Sequence, residues 1–397
     1  MASKGNSSQS LSEAKTAKKD EFYTALDVVS AEMRYHRKFF EGKTVLCNCD
    51  DPFESNFFKY FALNFNKLKL KRLIATCYKG SPVVATQLSW IPGLEASKEL
   101  NSSAKKKAYK IVITEVPDVN GDGAIDITDV EWLIKHGNNV LTELNGDGDF
   151  RSEECLALLD ECDVVCTNPP FSLFREYMAK LVECNKSFII LGNVNAITYR
   201  EIFPLIKSNK LWMGASIHSG DREFRVPDDY PLKASGYRVD EEGNKYIRVK
   251  GVRWWTNIDY ASRHEELDLY KKYSPEEYPR YDNYDAIEVG KTAEIPRDYF
   301  GIMGVPITFL DKYCPEQFEI LGSTQRGCHD EVPDTKKYDD YWEVRPDGTK
   351  TGSSGGKTNE NGNLERNDGK HNYFINKEGH IVQSAYGRLF IKRKDTE

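Results

Sequence analysis

Short apolar runs alternate with amphipathic stretches through the first half of the chain. Residues 43–49 (KTVLCNC), 71–77 (KRLIATC), 163–166 (DVVC) and 187–192 (SFIILG) are too short for helices of their own and predict strands. Residues 109–116 (YKIVITEV) alternate apolar and polar positions in the manner of a strand. Residues 55–66, 153–161 and 171–184 predict helices between them. Strands separated by helices imply a parallel α/β sheet, with ligands gathered at the carboxyl ends of its strands. From about residue 211 the helical periodicity fades, and Trp, Tyr, Arg, Pro and Gly become frequent. Residues 249–259 and 299–310 read as strands or extended loops. This places a domain boundary near 210, with 20–210 as one domain and 211–397 as a second. Residues 347–370 are rich in Gly, Ser and Asn and nearly free of apolar side chains, which predicts a mobile loop or an insertion that orders on a partner.

The strand at 163–166 stops at Thr167-Asn168-Pro169-Pro170-Phe171. Two prolines end the strand and hold the backbone extended. The Asn168 side-chain oxygen and the Pro169 carbonyl can both accept hydrogen bonds from one NH2 group, and the Phe171 ring can stack on a flat molecule beside them. Pro170 keeps the turn rigid. Such a pocket suits an exocyclic amine about to be alkylated. A bland strand-and-turn reading is also available, because Asn-Pro is common in turns.

Composition sets limits on the rest. At 397 residues, 39% hydrophobic and 12% aromatic, the chain can hold two cored domains. The polar N-terminus reads as a flexible tail over 1–19 and lacks the apolar segment of a signal peptide, so a cytoplasmic location is expected. No apolar run approaches membrane-spanning length. Nine cysteines with no CxxC pair suggest neither a disulfide framework nor a zinc site. A net charge of −7 argues against indiscriminate nucleic-acid binding but leaves room for local basic faces, with 105–107 and the C-terminal Arg388, Lys392, Arg393 and Lys394 as phosphate-contact candidates.

Methylating an amine requires an activated donor, and S-adenosylmethionine is the one expected in this sheet type. Asp50 and Asp51 lie at the end of the strand at 43–49, followed by Pro52-Phe53, although the usual Gly-x-Gly is missing. Asp149-Phe150, at the head of the helix before the Asn-Pro-Pro strand, resembles the methyltransferase motif in which a carboxylate meets the adenine amine of the donor. Tyr23 and Thr24, within Asp20-Glu21-Phe22-Tyr23-Thr24, resemble the N-terminal donor-binding motif of one circular arrangement of such enzymes. Residues 118–129 (DVNGDGAIDITD) fit a twelve-residue calcium loop, with Asp118, Asn120, Asp122, Asp126 and Asp129 at ligand positions and Gly123 at the sharp turn. Position twelve is Asp rather than Glu, and tight turns alone also favour Asn-Gly-Asp-Gly. Any calcium here would be structural. Residues 143–154 are a poorer copy.

Together, DEFYT (20–24), VLCNCDDPFESNFFKYF (45–61), NGDGDFRSEE (145–154), DVVCTNPPFSLFREY (163–177), IHSGDREF (217–224) and the long block at 284–322 resemble the EcoRI-type adenine-specific DNA methyltransferases over nearly the whole chain. The resemblance implies a Rossmann-like methyltransferase sheet with a C-terminal target-recognition region. It implies S-adenosylmethionine-dependent methylation of the N6 amine of an adenine flipped out of duplex DNA, in a restriction-modification setting. The protein is expected to act as a monomer. Asn168, Pro169, Pro170 and Phe171 would hold the adenine; Tyr23, Thr24, Asp50, Asp51, Asp149 and Phe150 would line the donor site. Arg222, Arg225, Arg253, Trp254, Trp255 and Arg326 are the expected DNA contacts, since arginine reads guanine edges and aromatic rings fill the gap a flipped base leaves. For one of the two tryptophans, a core role is at least as good a reading. Two alternatives remain at this point: a protein-glutamine methyltransferase using a similar pocket, and a calcium-dependent binding protein on a vestigial methyltransferase fold.

Overall fold

The computed structural model describes residues 24–49, 55–77, 108–136, 141–218, 220–226, 236–324, 332–385 and 387–394. Tyr23, Asp50, Asp51, Arg326, the tail at 1–19 and the lysines at 105–107 lie outside these residues. Among the described residues no helix is long and apolar enough to cross a membrane. The chain divides into two compact units, one of Met1–Asn195 with Met213–Tyr260, the other of Ala196–Trp212 with Ala261–Glu397.

The first unit is mixed α/β, built on a large mixed sheet. Its strands are β1 (Thr44–Cys47), β2 (Arg72–Thr76), β3 (Tyr109–Ile113), β4 (Leu141–Glu143), β5 (Val164–Thr167), β6 (Ser187–Asn193), β7 (Trp212–Met213) and, after a separate ribbon of β8 (Asp221–Val226), β9 (Arg238–Val239) and β10 (Lys245–Lys250), β11 (Val252–Thr256). The sheet order is β4-β3-β2-β1-β5-β6-β11-β7. Four central strands, β2, β1, β5 and β6, run parallel. The all-buried β1 and β5 account for their uninterrupted apolar sequences, since a strand covered on both faces has no polar side to show. Helices α1 (Leu26–Met33), α2 (Asn56–Leu63), α3 (Phe65–Leu68), α4 (Ile127–His136), α5 (Glu153–Glu161) and α6 (Phe174–Glu183) accompany them. Ser55 and Ser152 start α2 and α5 by accepting from the Phe58 and Cys155 amides.

The parallel expectation holds for the centre and not for the edges. β3 pairs antiparallel with β2, and β4 antiparallel with β3. The alternation within 109–116 is the signature of a half-covered strand, which an antiparallel edge tolerates and a parallel centre does not. On the other side β11 pairs antiparallel with β6, Trp254 opposite Leu191 and Trp255 opposite Ile190. Residues 213–260 therefore return to the first sheet.

The second unit contains α7 (Phe203–Lys207) and two sheets. One is formed by β12 (Ile287–Glu288), β13 (Met303–Pro306), β14 (Phe318–Ser323) and β20 (Arg388–Arg393), the other by β15 (Trp342–Val344), β16 (Lys350–Ser354), β17 (Asn363–Leu364), β18 (Tyr373–Ile375) and β19 (Ile381–Ser384). Residues 347–370, expected as a mobile loop, carry β16, a 3-10 turn at Gly355–Thr358 and β17. Polar side chains supply the order that apolar ones would supply elsewhere. Thr358 and Asn363 are fully buried. The Asn363 amide nitrogen donates to the Thr358 carbonyl (2.9 Å), and its backbone N–H donates to Asn283 Oδ1 (2.9 Å). Composition measures hydrophobicity and misses such networks.

Candidate active site

Strand order reverses between β1 and β5: the chain leaves β1 toward β2 on one side and leaves β5 toward β6 on the other. Ligands of open α/β sheets bind at the carboxyl ends of strands at such a point. The register Val45↔Val164 and Leu46↔Val165 brings the two ends out level. At that level the Thr167 hydroxyl donates to the backbone carbonyl of Asn48. The Asn48 side-chain oxygen accepts from the Tyr177 hydroxyl, which projects from α6. Asn48 and Asn168, one at the end of each strand, are 5% and 4% exposed.

After Asn168 the chain has no regular structure over 168–170 and turns at 171–173. Pro169 is buried and Pro170 partly so. The Leu173 amide donates to the Pro170 carbonyl (2.9 Å), and α6 begins at Phe174, three residues later than expected. Phe171 stays in the turn, half-buried beside the core of the first unit.

Asp149 and Phe150 reach the same region from a third strand end. Gly148, at φ +76°, lies against the end of β2; a Cβ there would stand 2.0 Å from the Cys77 carbonyl oxygen. Only glycine combines that backbone conformation with that approach. Beyond it the Phe150 ring meets the Tyr177 ring edge to face at 5.0 Å. The Asp149 carboxylate is gripped by Arg151 through Nε (2.7 Å) and Nη2 (2.5 Å), which raises the guanidinium pKa further. Arg151 also lies 5.2 Å from the Phe150 ring centre and reaches Glu176 on α6 (3.3 Å). The second Asn-Gly-Asp-Gly run thus serves to seat Asp149 and Phe150.

Thr24 arrives from the N-terminal side. Asn56, the first residue of α2, donates to its backbone carbonyl (2.7 Å). Thr24 is buried, and its hydroxyl has no hydrogen-bond partner among the described residues. A buried hydroxyl in that state is a polar group that a bound molecule can satisfy. Three of the expected positions, Asp149, Phe150 and Asn168, thereby lie at the carboxyl ends of β2 and β5 or against residues there, and Thr24 is tied to the start of α2. Asn48, Thr167, Tyr177 and Arg151 were not singled out from sequence; their partners are distant along the chain, and no local pattern marks them.

The acidic loop does not converge on a cation. Asp118 accepts from the Gly121 and Gly123 amides (2.7 and 2.8 Å), Asn120 from the Asp122 amide (3.0 Å), and Asp122 from the Ala124 amide (2.8 Å). Asp126 bonds the Thr128 amide (2.7 Å), and its carboxyl pKa is lowered chiefly by the Thr128 hydroxyl. Asp129 is fully buried and accepts from Val119 and Asp126 amides (2.8 and 2.9 Å). The expected calcium ligands are capping groups for their own loop. Among the described residues no cluster of three or more His, Cys, Asp or Glu side chains is placed to hold a metal.

Three expected DNA contacts lie inside the first unit. Trp254 and Trp255 are fully buried, against Phe57 at 5.8 Å and Phe174 at 6.4 Å respectively. The Arg253 guanidinium is 4% exposed with its residue and donates to the Val252 and His218 carbonyls (2.9 and 2.8 Å). A side chain with no accessible surface cannot touch a duplex, so β11 supplies core rather than contact. Arg222 and Arg225 stand on the β8–β10 ribbon, Arg225 exposed.

The model of the family described as "Adenine-specific methyltransferase EcoRI" matches residues 10–394. The chain belongs to this family. Type II methyltransferase M.EcoRI of Escherichia coli is 44% identical over 315 residues, 78% of this chain and 88% of that protein. Type II methyltransferase M.MpnI of Mycoplasma pneumoniae is 36% identical over 313 residues, covering 78% and 83%. Type II methyltransferase M.MgeORF184P of Mycoplasma genitalium is 35% identical over 314 residues, covering 78% and 84%. No solved structure matches the chain. Membership in the EcoRI family implies S-adenosylmethionine as methyl donor; the buried Thr24 hydroxyl without a partner and the Asp149 carboxylate are of the chemistry that such a molecule's polar groups take.

The packing of Gly148 is directly testable. Gly148→Ala is expected to lower the apo melting midpoint by several degrees, since the clash and the left-handed backbone each cost about 1 kcal/mol or more. An unchanged melting curve would show that the Gly148–Cys77 approach is not required.

Proposed function

We propose that this adenine-specific DNA methyltransferase transfers the methyl group of S-adenosylmethionine to the N6 amine of a flipped adenine at the turn Asn168-Pro169-Pro170-Phe171. The observation that carries the reading is the bridge between the ends of β1 and β5, Thr167 hydroxyl to Asn48 carbonyl, at the point where strand order reverses. It sets the turn that suits a flat amine beside the strand end that suits the donor. The sheet is then a Rossmann-like donor-binding sheet, and residues 211–397 include the region that reads the target sequence.

Bound S-adenosylmethionine supplies an electrophilic methyl group. Thr24, Asp149 and Phe150 would hold it, together with Tyr23, Asp50 and Asp51 by the family pattern. The Asn168 side-chain oxygen and the Pro169 carbonyl accept the two amine hydrogens. That draws the nitrogen lone pair out of conjugation with the ring and aims it away from the turn. Phe171 stacks on the base and fixes its plane. The rate comes from this orientation and from acceptors already in place. The transfer needs no thiol nucleophile, and burial pushes Cys166 well above its usual range and Cys162 up to about 12, so neither of these supplies a thiolate.

For the duplex, the ribbon offers one outward row. Its inner positions Phe224, Val226, Ile247 and Val249 join the core, while Arg225, Arg248 and Lys250 face solvent. Arg225 stands across from Tyr246, and Arg238 lies over the Tyr246 ring at 4.4 Å. These cations suit phosphate contacts, which position a protein on DNA without reading sequence.

Asn168→Ala is expected to reduce methylation of plasmid DNA by about 10²–10³-fold, the usual loss for one oriented hydrogen-bonding group. Its affinity for S-adenosylhomocysteine should stay within a few-fold of the unaltered protein's. Asp149→Ala should do the reverse in binding, weakening S-adenosylhomocysteine about tenfold by calorimetry through loss of a charged acceptor. Near-normal turnover by the Asn168 variant would overturn the reading. Separately, Arg225→Ala should weaken DNA binding equally across sequences and reduce the slope of log affinity against log salt by about 1. An unchanged slope would remove Arg225 from the phosphate contacts.

A further inference from the structure

Tyr177 belongs to neither of the nominated ligand sets, yet it touches one of them directly and, through Asn48 and Thr167, reaches the residue before the other. Its hydroxyl donates to Asn48 Oδ1, at the end of β1. Its ring packs edge to face on Phe150, beside Asp149. Asn48 in turn receives the Thr167 hydroxyl, one residue before Asn168. The four residues form one buried chain from the Phe150 ring to the Asn-Pro-Pro turn, Phe150, Tyr177, Asn48 and Thr167, its last link through the Asn48 backbone carbonyl. Tyr177 and Thr167 are 2% and 0% exposed. Just beyond Asn48 the backbone turns left-handed at Cys49, φ +72°, a conformation a non-glycine residue holds only when its surroundings impose it.

We propose that Tyr177 is a positioning residue that, through Asn48, locks the donor-side turn after β1 to the methyl-transfer turn after β5. This rests on the donor and adenine sites assigned above. The Tyr177 hydroxyl fixes the Asn48 side chain, and the Asn48 backbone carbonyl fixes Thr167. Movement of either turn then strains the same residue. Burial also holds the Tyr177 phenol in its protonated, donating form well above the ordinary tyrosine range, so the lock stays closed through any working pH. No other polar tie between the two turns is needed for donor binding and amine placement to affect one another.

Tyr177→Phe keeps the ring against Phe150 and removes only the donor. The expected result is a loss of about tenfold in calorimetric affinity for S-adenosylhomocysteine, as for a buried acceptor left without its donor. The single-turnover rate on DNA should fall as well. Thr167→Val, on the catalytic strand, should weaken S-adenosylhomocysteine too, and the double variant should lose less than the product of the two single losses, because both bonds end on Asn48. Tyr260→Phe, which removes a hydroxyl bond to the Met213 carbonyl (2.8 Å), should leave affinity within twofold at a comparable melting shift. Should Tyr177→Phe fail to fold, Asn48→Ala removes the same bond from its other end and carries the same expectation. Affinity and rate within twofold of normal for Tyr177→Phe, or strictly multiplicative losses in the double variant, would overturn the lock. If that happens while the Asn168 and Asp149 variants behave as stated above, the lock alone fails. An active Asn168→Ala variant would instead remove the site on which it rests.

Discussion

Because β1 and β5 run parallel with Val45 beside Val164 and Leu46 beside Val165, their carboxyl ends emerge level, and a single residue can serve both. Asn48 is that residue. Its backbone carbonyl takes the Thr167 hydroxyl, and its side-chain oxygen takes the Tyr177 hydroxyl. Were the pairing shifted by one residue, the side chains of β5 would exchange faces, and the Thr167 hydroxyl would point away from Asn48. The register is secured by burial: every residue of both strands is enclosed, so a slip would require rebuilding the interior on both faces. Hydrophobic packing thus sets the frame, and the polar bonds at its rim set the site.

The same residue accounts for an irregular feature of the turn after β1. A Gly-x-Gly turn is the usual way to bring backbone close to a ligand, and this chain has Asn48-Cys49-Asp50 instead. The left-handed conformation falls on Cys49, a non-glycine residue, at a cost of roughly 1 kcal/mol or more. Bonds to both ends of Asn48 hold the turn there. Glycine would permit the conformation without enforcing it. At Gly148 the need is different: the neighbouring carbonyl leaves no room for any Cβ, so permissiveness itself is required.

This contrast explains how much the sequence disclosed. The four parallel strands and α5 were legible because continuous burial and amphipathic spacing are local signals. The Asn-Pro-Pro turn was legible because proline fixes backbone shape wherever it stands. The edge strands were misjudged in direction, since pairing sense depends on what lies across the strand. The pair Trp254-Trp255 reads from sequence as either a surface for a base or core, because an aromatic pair next to Arg253 carries no mark of which sheet it will join; pairing with β6 buries all three. The acidic loop was the opposite case. Its spacing is that of a metal site, but aspartate and asparagine oxygens satisfy loop amides with the same spacing, and Asp118 and Asp129 do so here. Asn48, Thr167 and Tyr177 could not be seen at all, as their partners lie 119 and 129 positions apart.

What the frame achieves is order before the ligands arrive. The transfer of a methyl group to a conjugated amine needs little chemistry from the protein and much geometry, because the nucleophile is weak until its lone pair is turned out of the ring. An acceptor that had to swing into place at each turnover would lose part of its benefit to reorganisation. Here the strand ends are tied in the free protein, in surroundings with almost no water, where hydrogen bonds are stronger and an unmade one is costly. The ordering is therefore met once, at folding. The Asp149 carboxylate follows the same logic: gripped by Arg151 along one edge, it is oriented, yet a carboxylate has lone pairs to spare for a further donor. A site assembled this way can be exacting about where an amine sits while carrying no group that is itself reactive.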